Sequence, residues 1–440
     1  MRNLLFTFLI LGALGWGFVS AEGSVMALIW ICFQRPQDFS DWWGGTPLFQ
    51  AALAICIVSN IARGKFHLKF PAVLLLYEWL MFWLVLSACF AFDTDHSLDY
   101  AKSYLPSMIV TPIVLFAVIN DLELLKRVMW IAAGALGVNA AKVAIVLSLH
   151  GGYHITEAVT GFVGDNNGFG LVLCLAVPIL IGLKSTLPPR KWLHRGLIVV
   201  IVGASLCIIY TESRGALITL ATIIFIRSII GKNAIRNTSI FVGVVILAYL
   251  VIPSHFFERL DTLKNVQGDE SAMGRVENWG LSWEEAKQYP FFGVGPDNHQ
   301  LYNHALGVSV QVRVAHSTYF ELLGENGFLG LFFYLVFLFT GIGVLFATWG
   351  RAARVAVTRP EFAWVRDASS WMACAGVGYV LGSAFLNMLY FEFPFYMFFF
   401  GAMLRYFLPA DRPDPVPARR GLPRSAAGRP RSNLARRGTP

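Results

Sequence analysis

Long apolar runs, separated by short polar segments, extend along almost the whole chain. A helix that crosses a bilayer needs about 20 predominantly apolar residues. Candidate spans lie at 3–19, 24–33, 47–62, 71–91, 104–119, 128–149, 167–183, 196–211, 215–230, 238–253, 319–348, 369–388 and 391–408. The run at 24–33 is too short to cross by itself. The pattern predicts an all-α polytopic membrane protein with about twelve transmembrane helices.

The first 33 residues fit this pattern in two ways. If both 3–19 and 24–33 cross, Arg2 lies outside the cell membrane; if together they form one broken crossing, Arg2 lies in the cytoplasm. We prefer the single broken crossing, because Lys and Arg are enriched on the cytoplasmic side of membrane proteins.

Charge in the connecting segments orients the remaining spans. Lys and Arg accumulate in segments that we therefore place in the cytoplasm, at 63–69, 126–127, 184–195, 232–236 and 351–366. The segments between them, at 93–99 and 157–165, are acidic. This alternation predicts four regions: N-terminal helices in 1–253, a large outer loop with short helices in 254–318, C-terminal helices in 319–409 and a tail in 410–440.

Composition supports a membrane protein and localises its excess charge. Of the 440 residues 56% are hydrophobic and 14% are charged, whereas about a quarter are charged in soluble domains. The tail holds eight Arg, two Asp and six Pro, so it carries six of the eight net positive charges. We interpret it as a disordered arm drawn to anionic membrane lipids, and we predict no nucleic-acid partner. All six Cys lie in apolar runs without a CxxC pair, which predicts neither a metal site nor disulfides.

Two arginines near the outer membrane boundary are candidate binding residues. Ionisable groups are costly there unless they pair or act. Arg214 follows a tight break between two predicted spans, and Gly215 beside it permits a sharp turn or the close approach of a ligand. Arg275 lies in the outer loop, where Trp279, four residues on, would share its helix face. The alternatives are a headgroup anchor for Arg214 and a solvated charge for Arg275; we favour binding roles for both.

Further candidates lie around the re-entry of the outer loop into the membrane. His316 is at this re-entry, and His can move a proton near neutral pH. Alone it would more often be a packed histidine, but the two arginines favour a catalytic role. Gly295 belongs to a turn that could expose backbone N–H groups. Asn167 opens a span and could bind sugar or cap the helix. The role of Glu325, near a predicted helix break at Gly324 and Gly327, is left open.

Missing motifs narrow the chemistry. The sequence has no Walker A loop, no HExxH motif and no convincing carboxylate pair in the outer loop. A reaction outside the membrane without ATP must use a donor that is already activated. Two arginines and a histidine suit a diphosphate leaving group, because guanidinium groups bind phosphate bidentately and neutralise its charge without a metal ion.

These residues resemble the O-antigen ligase and polymerase superfamily of bacterial membrane proteins over about 195–340. The matching pattern is Ser213-Arg214-Gly215 at the head of a span, Arg275 with Trp279, Phe292-Gly-Val-Gly295, His316 with Tyr319, and Gly327 with Gly330. Arg35-Pro36-Gln37 and Asp165-Asn166-Asn167 are similar to members of the family that include some associated with exosortase systems.

The resemblance implies a membrane fold of the C-type glycosyltransferase kind, in the bacterial inner membrane with its active site on the periplasmic face. Such enzymes move a glycan from undecaprenyl diphosphate to an acceptor, with inversion and without a metal or other cofactor. By position, Arg214 and Arg275 would bind the diphosphate, and His316 would act as base or orient the acceptor hydroxyl. The predicted substrate-binding residues also include Trp279, Tyr319, Asn167 and Gly295.

The acceptor divides the family, and the residues say little about it. We favour lipid A-core, hence an O-antigen ligase, because the motif order is ligase-like and no extra periplasmic domain is present. The alternatives are another carrier-linked glycan, for a polymerase, and a protein side chain, for an O-oligosaccharyltransferase. A transporter of lipid-linked glycans is a hypothesis from another class. It is less favoured because the candidate residues lie at the outer face rather than at the membrane midplane.

Overall fold

The computed structural model describes residues 2–150, 165–230, 234–236, 238–239, 242, 270–308 and 312–409, and these residues contain helices and no strand. The helices are α1 (Arg2–Val19), α2 (Ala21–Gln34), α3 (Leu48–Ala62), α4 (Ala72–Cys89), α5 (Thr94–Tyr104), α6 (Thr111–Val118), α7 (Leu122–Leu149), α8 (Asn166–Leu183), α9 (Lys191–Tyr210), α10 (Arg214–Ile230), α11 (Glu270–Gln288), α12 (His299–Ala305), α13 (Thr318–Thr358), α14 (Ala363–Gly382) and α15 (Glu392–Phe407). A π-helical turn, Leu105–Val110, joins α5 to α6, and a 3₁₀ turn, Pro36–Phe39, follows α2.

The predicted all-α membrane architecture is confirmed for the described residues. Among the described residues, seven helical stretches are long and apolar enough to cross a bilayer: α1, α4, α5 with α6, α7, α8, α9 and α13. Helices α2 and α3 are apolar but shorter. The chain is thus a multi-pass membrane protein. Most of the predicted span 238–253, the loop portion 254–269, residues 157–164 of the acidic segment and the tail 410–440 lie outside the described residues.

The two ends of the helix bundle separate the basic segments from the candidate residues. At one end, the Arg63 guanidinium donates to the carbonyl oxygen of Val19 over 2.9 Å, and the Lys69 ammonium donates to that of Ile119 over 2.8 Å. We call this the Arg63 end. The opposite end, where α13 begins just after His316, is called the His316 end.

Residues 1–33 form two antiparallel helices, so the preferred single broken crossing is wrong. Ser20 caps α2 by accepting a hydrogen bond from the Gly23 N–H over 3.1 Å, and the chain reverses there. Arg2 forms an ion pair of 3.2 Å with Asp41. Because Arg63 contacts the other end of α1, Arg2 lies at the His316 end. The pairing with Asp41 offers Arg2 a partner that the charge rule does not consider.

Small residues and aromatic rings pack the membrane helices. Helix α8 is buried along nearly its whole length, and a Cβ atom on its Gly182 would lie 2.5 Å from the Ala368 Cα of α14. In a bilayer, lipid tails are as apolar as the helix side chains, so helices associate through such close approach of their backbones. Tyr77 of α4 packs its ring 5.5 Å from Phe337 of α13 and 5.0 Å from Phe399 of α15.

Helix α13 is broken at Gly327, where the predicted helix break is confirmed. Gly327 has φ 70° and ψ −176° within an otherwise helical stretch. The segment 289–298, called the docking loop, lies in the break. The Phe328 N–H donates to the Pro290 carbonyl oxygen over 2.9 Å, and the Val294 N–H donates to that of Gly324 over 3.0 Å. The loop and the helix therefore satisfy each other's backbone groups.

The cysteines differ in exposure. All six are free; five are buried, whereas Cys89, the last residue of α4, is exposed.

The break gives a first testable prediction. A Cβ atom at Gly327 would lie 2.5 Å from the Phe291 carbonyl oxygen, and its backbone region is essentially restricted to glycine. We expect Gly327→Ala to lower the free energy of unfolding by about 2 kcal/mol or more. The measurement is the melting temperature of the purified protein in detergent.

The matched control is Gly343→Ala, in the same helix. A Cβ atom there meets nothing within 4 Å, and alanine favours a helix by about 0.5–1 kcal/mol over glycine. This variant should melt at the wild-type temperature or above it. Equal melting temperatures for the two variants would show that the docking loop does not depend on the break.

Candidate functional site

The turn between α9 and α10 presents Arg214. Glu212 adopts a left-handed conformation with φ 51°. Ser213 then caps α10, its hydroxyl accepting from the Ala216 N–H over 3.3 Å, and Arg214 is the first residue of that helix. Gly215 is an ordinary helical residue that packs against Leu386. The sharp turn expected from Gly215 is thus made by Glu212, despite the steric cost of a left-handed conformation for a residue with a Cβ atom.

The start of α8 lies beside this turn. Asp165 caps the helix, accepting from the Gly168 N–H over 2.8 Å, and the Asn167 amide donates to the same carboxylate over 3.3 Å. About one turn further along α8, this helix approaches α10 closely: a Cβ atom on Gly170 would lie 2.8 Å from the Cβ of Ala216. Asn167 and Arg214 therefore belong to neighbouring helix starts at the His316 end. Asn167 was considered as a helix cap, but Asp165 caps α8 instead.

Helix α11 supports the segment that carries His316. The Trp279 indole N–H donates to the Ala315 carbonyl oxygen over 2.7 Å, and its ring stacks on Phe320 at 5.0 Å. The Asn278 side-chain oxygen accepts from the Arg313 N–H over 2.9 Å. Trp279 thus fixes the backbone next to His316.

His316 is held in an unusual backbone conformation. It is half-buried with φ 48°, a left-handed value that few residues other than glycine adopt. Two residues later, the Thr318 N–H donates to the carbonyl oxygens of Ser383 and Leu386 over 2.9 and 3.0 Å. Leu386 also packs against Gly215. Arg214 and His316 therefore flank the same short segment.

Charged neighbours act on the His316 imidazole. Burial lowers its pKa below the ordinary value of 6.5, and the positive charges of Arg275 and Arg313 lower it further, while Asp165 opposes them. These effects favour the neutral imidazole, the form that can accept a proton. The structure thus brings together His316, Arg275 and the start of α8, three elements that are distant in sequence.

Two predicted binding residues have structural partners. The Tyr319 hydroxyl donates to the Val380 carbonyl oxygen over 2.8 Å and accepts from the Ser383 hydroxyl over 3.0 Å. The Gly295 N–H, which we expected to be exposed, donates to the Glu325 carbonyl oxygen over 2.9 Å. This contact also gives Glu325, whose role was open, a place in anchoring the docking loop. The assignment of Tyr319 and Gly295 to substrate binding stays a prediction.

A buried polar network was missed by the sequence analysis. The His299 ring nitrogens lie 3.0 Å from the Glu285 carboxylate and 3.3 Å from the Asn278 side-chain oxygen, and Asn303 donates to the same carboxylate. It joins α12 to the face of α11 that bears Asn278 and Glu285. Asn278, Ser282 and Glu285 are spaced by four and three residues, so they share one helix face. This spacing could have predicted a polar face on α11.

No metal site is evident among the residues that the structure describes: no group of three His, Cys, Asp or Glu side chains is placed to hold an ion. Within the same residues, the non-glycine positions with positive φ share one location, the His316 end. They are Arg35, Glu212, Asp297 and His316. Such conformations cost about 1–3 kcal/mol each and concentrate at functional sites.

Comparison with known proteins finds one resemblance, and it covers this region. No curated protein matches the chain. The family model described as O-antigen ligase matches residues 197–335, a range that includes Arg214, Arg275, His316 and the break at Gly327. The match confirms that this part of the chain resembles the O-antigen ligase and polymerase family, whose members are glycosyltransferase-like.

Proposed function

We propose that the protein is an O-antigen ligase that transfers a glycan from undecaprenyl diphosphate to lipid A-core on the periplasmic face of the bacterial inner membrane. One observation carries the proposal. Within the part that matches O-antigen ligase, His316 is half-buried, and burial together with the positive charge of Arg275 lowers its pKa. A neutral imidazole near a guanidinium suits a hydroxyl nucleophile and an anionic leaving group.

In this proposal each charged residue has one task. Arg275 and Arg214 bind the diphosphate of the donor, since guanidinium groups form paired hydrogen bonds to phosphate oxygens and stabilise the charge that develops on departure. His316 accepts the proton of the acceptor hydroxyl. The hydroxyl oxygen forms a bond to the anomeric carbon, and the bond from that carbon to the phosphate oxygen breaks. The carrier diphosphate leaves with the electron pair, and the sugar inverts.

The position of the site supports the periplasmic face. The candidate residues lie at the end of the bundle opposite Arg63 and Lys69, and basic segments favour the cytoplasm. The donor is already activated, so the reaction needs no ATP, and the two guanidinium groups neutralise the leaving diphosphate in place of a divalent ion.

The testing experiment uses purified protein in detergent with a glycan linked to undecaprenyl diphosphate. One tube contains lipid A-core and a second contains no other acceptor, both with EDTA and without ATP; products are read on a gel. Glycan on lipid A-core is the expected result. A ladder of longer carrier-linked chains in the second tube would instead establish a polymerase, and the absence of product from both tubes would contradict glycan transfer to either acceptor.

His316→Ala should lower the transfer rate in this assay by about 10²-fold or more, because the proton acceptor is lost. His304→Ala is the matched control, since His304 is exposed in α12, and it should retain the wild-type rate. Full activity of His316→Ala in a folded protein would remove this residue from the mechanism.

Arg275→Lys should lower the transfer rate by about 10-fold or more, because lysine keeps the charge but loses the planar fork that binds phosphate bidentately. Initial rates at saturating acceptor provide the measurement. Arg359→Lys, at an exposed position near the Arg63 end, controls for the substitution itself. An undiminished rate for Arg275→Lys would argue against bidentate binding of the diphosphate.

The pH profile tests the state of His316. If the neutral imidazole is the base, kcat/KM should be constant near pH 7 and fall on the acid side, with a midpoint below 6.5 because burial and Arg275 lower the pKa of His316. Arg313→Gln removes one positive charge that lowers this pKa, so the midpoint should move to higher pH. A midpoint unaffected by Arg313→Gln, or a profile that rises towards acid, would contradict the assignment of the base.

A further inference from the structure

A second polar pocket lies at the His316 end, outside the range that matches O-antigen ligase. It is a cavity of about 260 Å³ between α2, the 3₁₀ turn after it, α3, the π-helical turn and α15. The polar and aromatic side chains considered below are Arg35, Gln37, Phe49, Gln50, Ser107 and Glu392. We call it the Arg35 pocket.

Arg35 occupies a backbone position where glycine would be less costly. It ends α2 in the left-handed conformation, with φ 45° and ψ 60°, which costs about 1–2 kcal/mol for a residue with a side chain. Its guanidinium lies 2.9 Å from the Asp38 carboxylate. The ion pair holds the Arg35 guanidinium beside Asp38, and the residue lines the pocket.

An unsatisfied acceptor lies at the same wall. The Gln37 side-chain oxygen is buried and has no hydrogen-bond partner in the structure. A buried polar atom without a partner costs about 1–3 kcal/mol. A ligand hydroxyl that entered the pocket would remove this cost by donating to Gln37.

The remaining groups suit a neutral ligand rich in hydroxyls. Glu392 begins α15 within hydrogen-bonding reach of Ser107, and Gln50 adds an amide and Phe49 an aromatic ring. Carboxylate and amide oxygens accept from hydroxyls, guanidinium and amide N–H groups donate to them, and a ring packs against an apolar face. Because the carboxylates of Asp38 and Glu392 flank Arg35, a phosphate group is disfavoured. The cavity volume accommodates a single sugar ring rather than a longer chain.

The pocket is joined to the candidate site by a short segment. The Thr318 hydroxyl accepts from the Met388 N–H over 2.9 Å, two residues after His316. From Met388 to Glu392 the chain advances four residues, which can span at most about 14 Å. The pocket therefore lies within the length of a short oligosaccharide from His316.

We propose that the Arg35 pocket binds one sugar residue of a glycan substrate, away from the bond that is formed. The proposal rests on the proposed glycan transfer and adds a determinant of substrate choice to it. The sugar belongs either to the donor glycan or to the core oligosaccharide of the acceptor, which share this chemistry.

The test compares Gln37→Leu and Glu392→Gln with the control Gln300→Leu, an exposed position of α12. The full-length protein is assayed with each substrate varied in turn. Loss of a hydrogen bond to a ligand hydroxyl should raise KM by about 10-fold for one of the two substrates, with kcat unchanged. The substrate whose KM rises identifies the source of the sugar. Melting temperatures verify folding, and Gln37→Leu, which removes a buried oxygen that has no partner in the protein, keeps the test valid if Glu392→Gln is unstable.

A binding measurement separates this proposal from the proposed function. Calorimetry titrates the wild-type protein and Gln37→Leu with two probes: the oligosaccharide released from the carrier, and the core oligosaccharide freed of lipid A. Binding of one probe that Gln37→Leu weakens, without any transfer in the assay, would support the pocket and reject the ligase. Transfer with wild-type KM values in both pocket variants would reject the pocket and retain the ligase. Failure of wild-type protein to bind either probe would also overturn the pocket.

Discussion

The pairing of the docking loop with the break in α13 is the constraint on which the rest of the candidate site depends. Within a membrane protein, backbone groups that leave a helix need other partners, and here the loop and Gly324–Phe328 supply them for each other. The Ser87 hydroxyl of α4 donates to the Phe292 carbonyl oxygen over 2.6 Å and so fastens the loop to a third element. Helix α11 directly precedes the loop and holds the backbone beside His316 through Trp279. The position of the proposed base thus depends on the packing of the membrane helices.

Strain is concentrated at one end of the bundle. Left-handed residues persist only where their surroundings over-determine them, and three of the four non-glycine examples in the described chain lie next to an ion pair or a pair of hydrogen bonds. Asp297 approaches His96 within 2.9 Å, Arg35 pairs with Asp38, and His316 precedes the Thr318 hydrogen bonds. The Arg63 end has none among the described residues. The His316 end thus contains the constrained backbone conformations, whereas at the Arg63 end lysine and arginine side chains donate hydrogen bonds to backbone carbonyls.

The sequence predicts best what depends on neighbouring residues. The run at 71–91 became α4, Ala72–Cys89, and the run at 167–183 became α8, Asn166–Leu183, because hydrophobic length is a local property. Distant partners were not predictable. Arg2 pairs with an aspartate 39 residues away, and the Tyr319 hydroxyl donates to a carbonyl oxygen 61 residues away. The candidate site was predictable in part. The types and order of its residues indicated the family, whereas the turn at Glu212 and the network around Glu285 became visible only in the structure.

The single exposed cysteine gives the wild-type chain a native reporter. Cys89 ends α4 at the His316 end, two residues after the serine that fastens the docking loop, and the other five thiols are buried. Exposed thiols react with alkylating reagents far more readily than buried ones. A maleimide dye that cannot cross membranes will therefore label one position, and only from the compartment that this end faces. The fluorescence of that dye would then follow the attachment of the docking loop without any engineered residue.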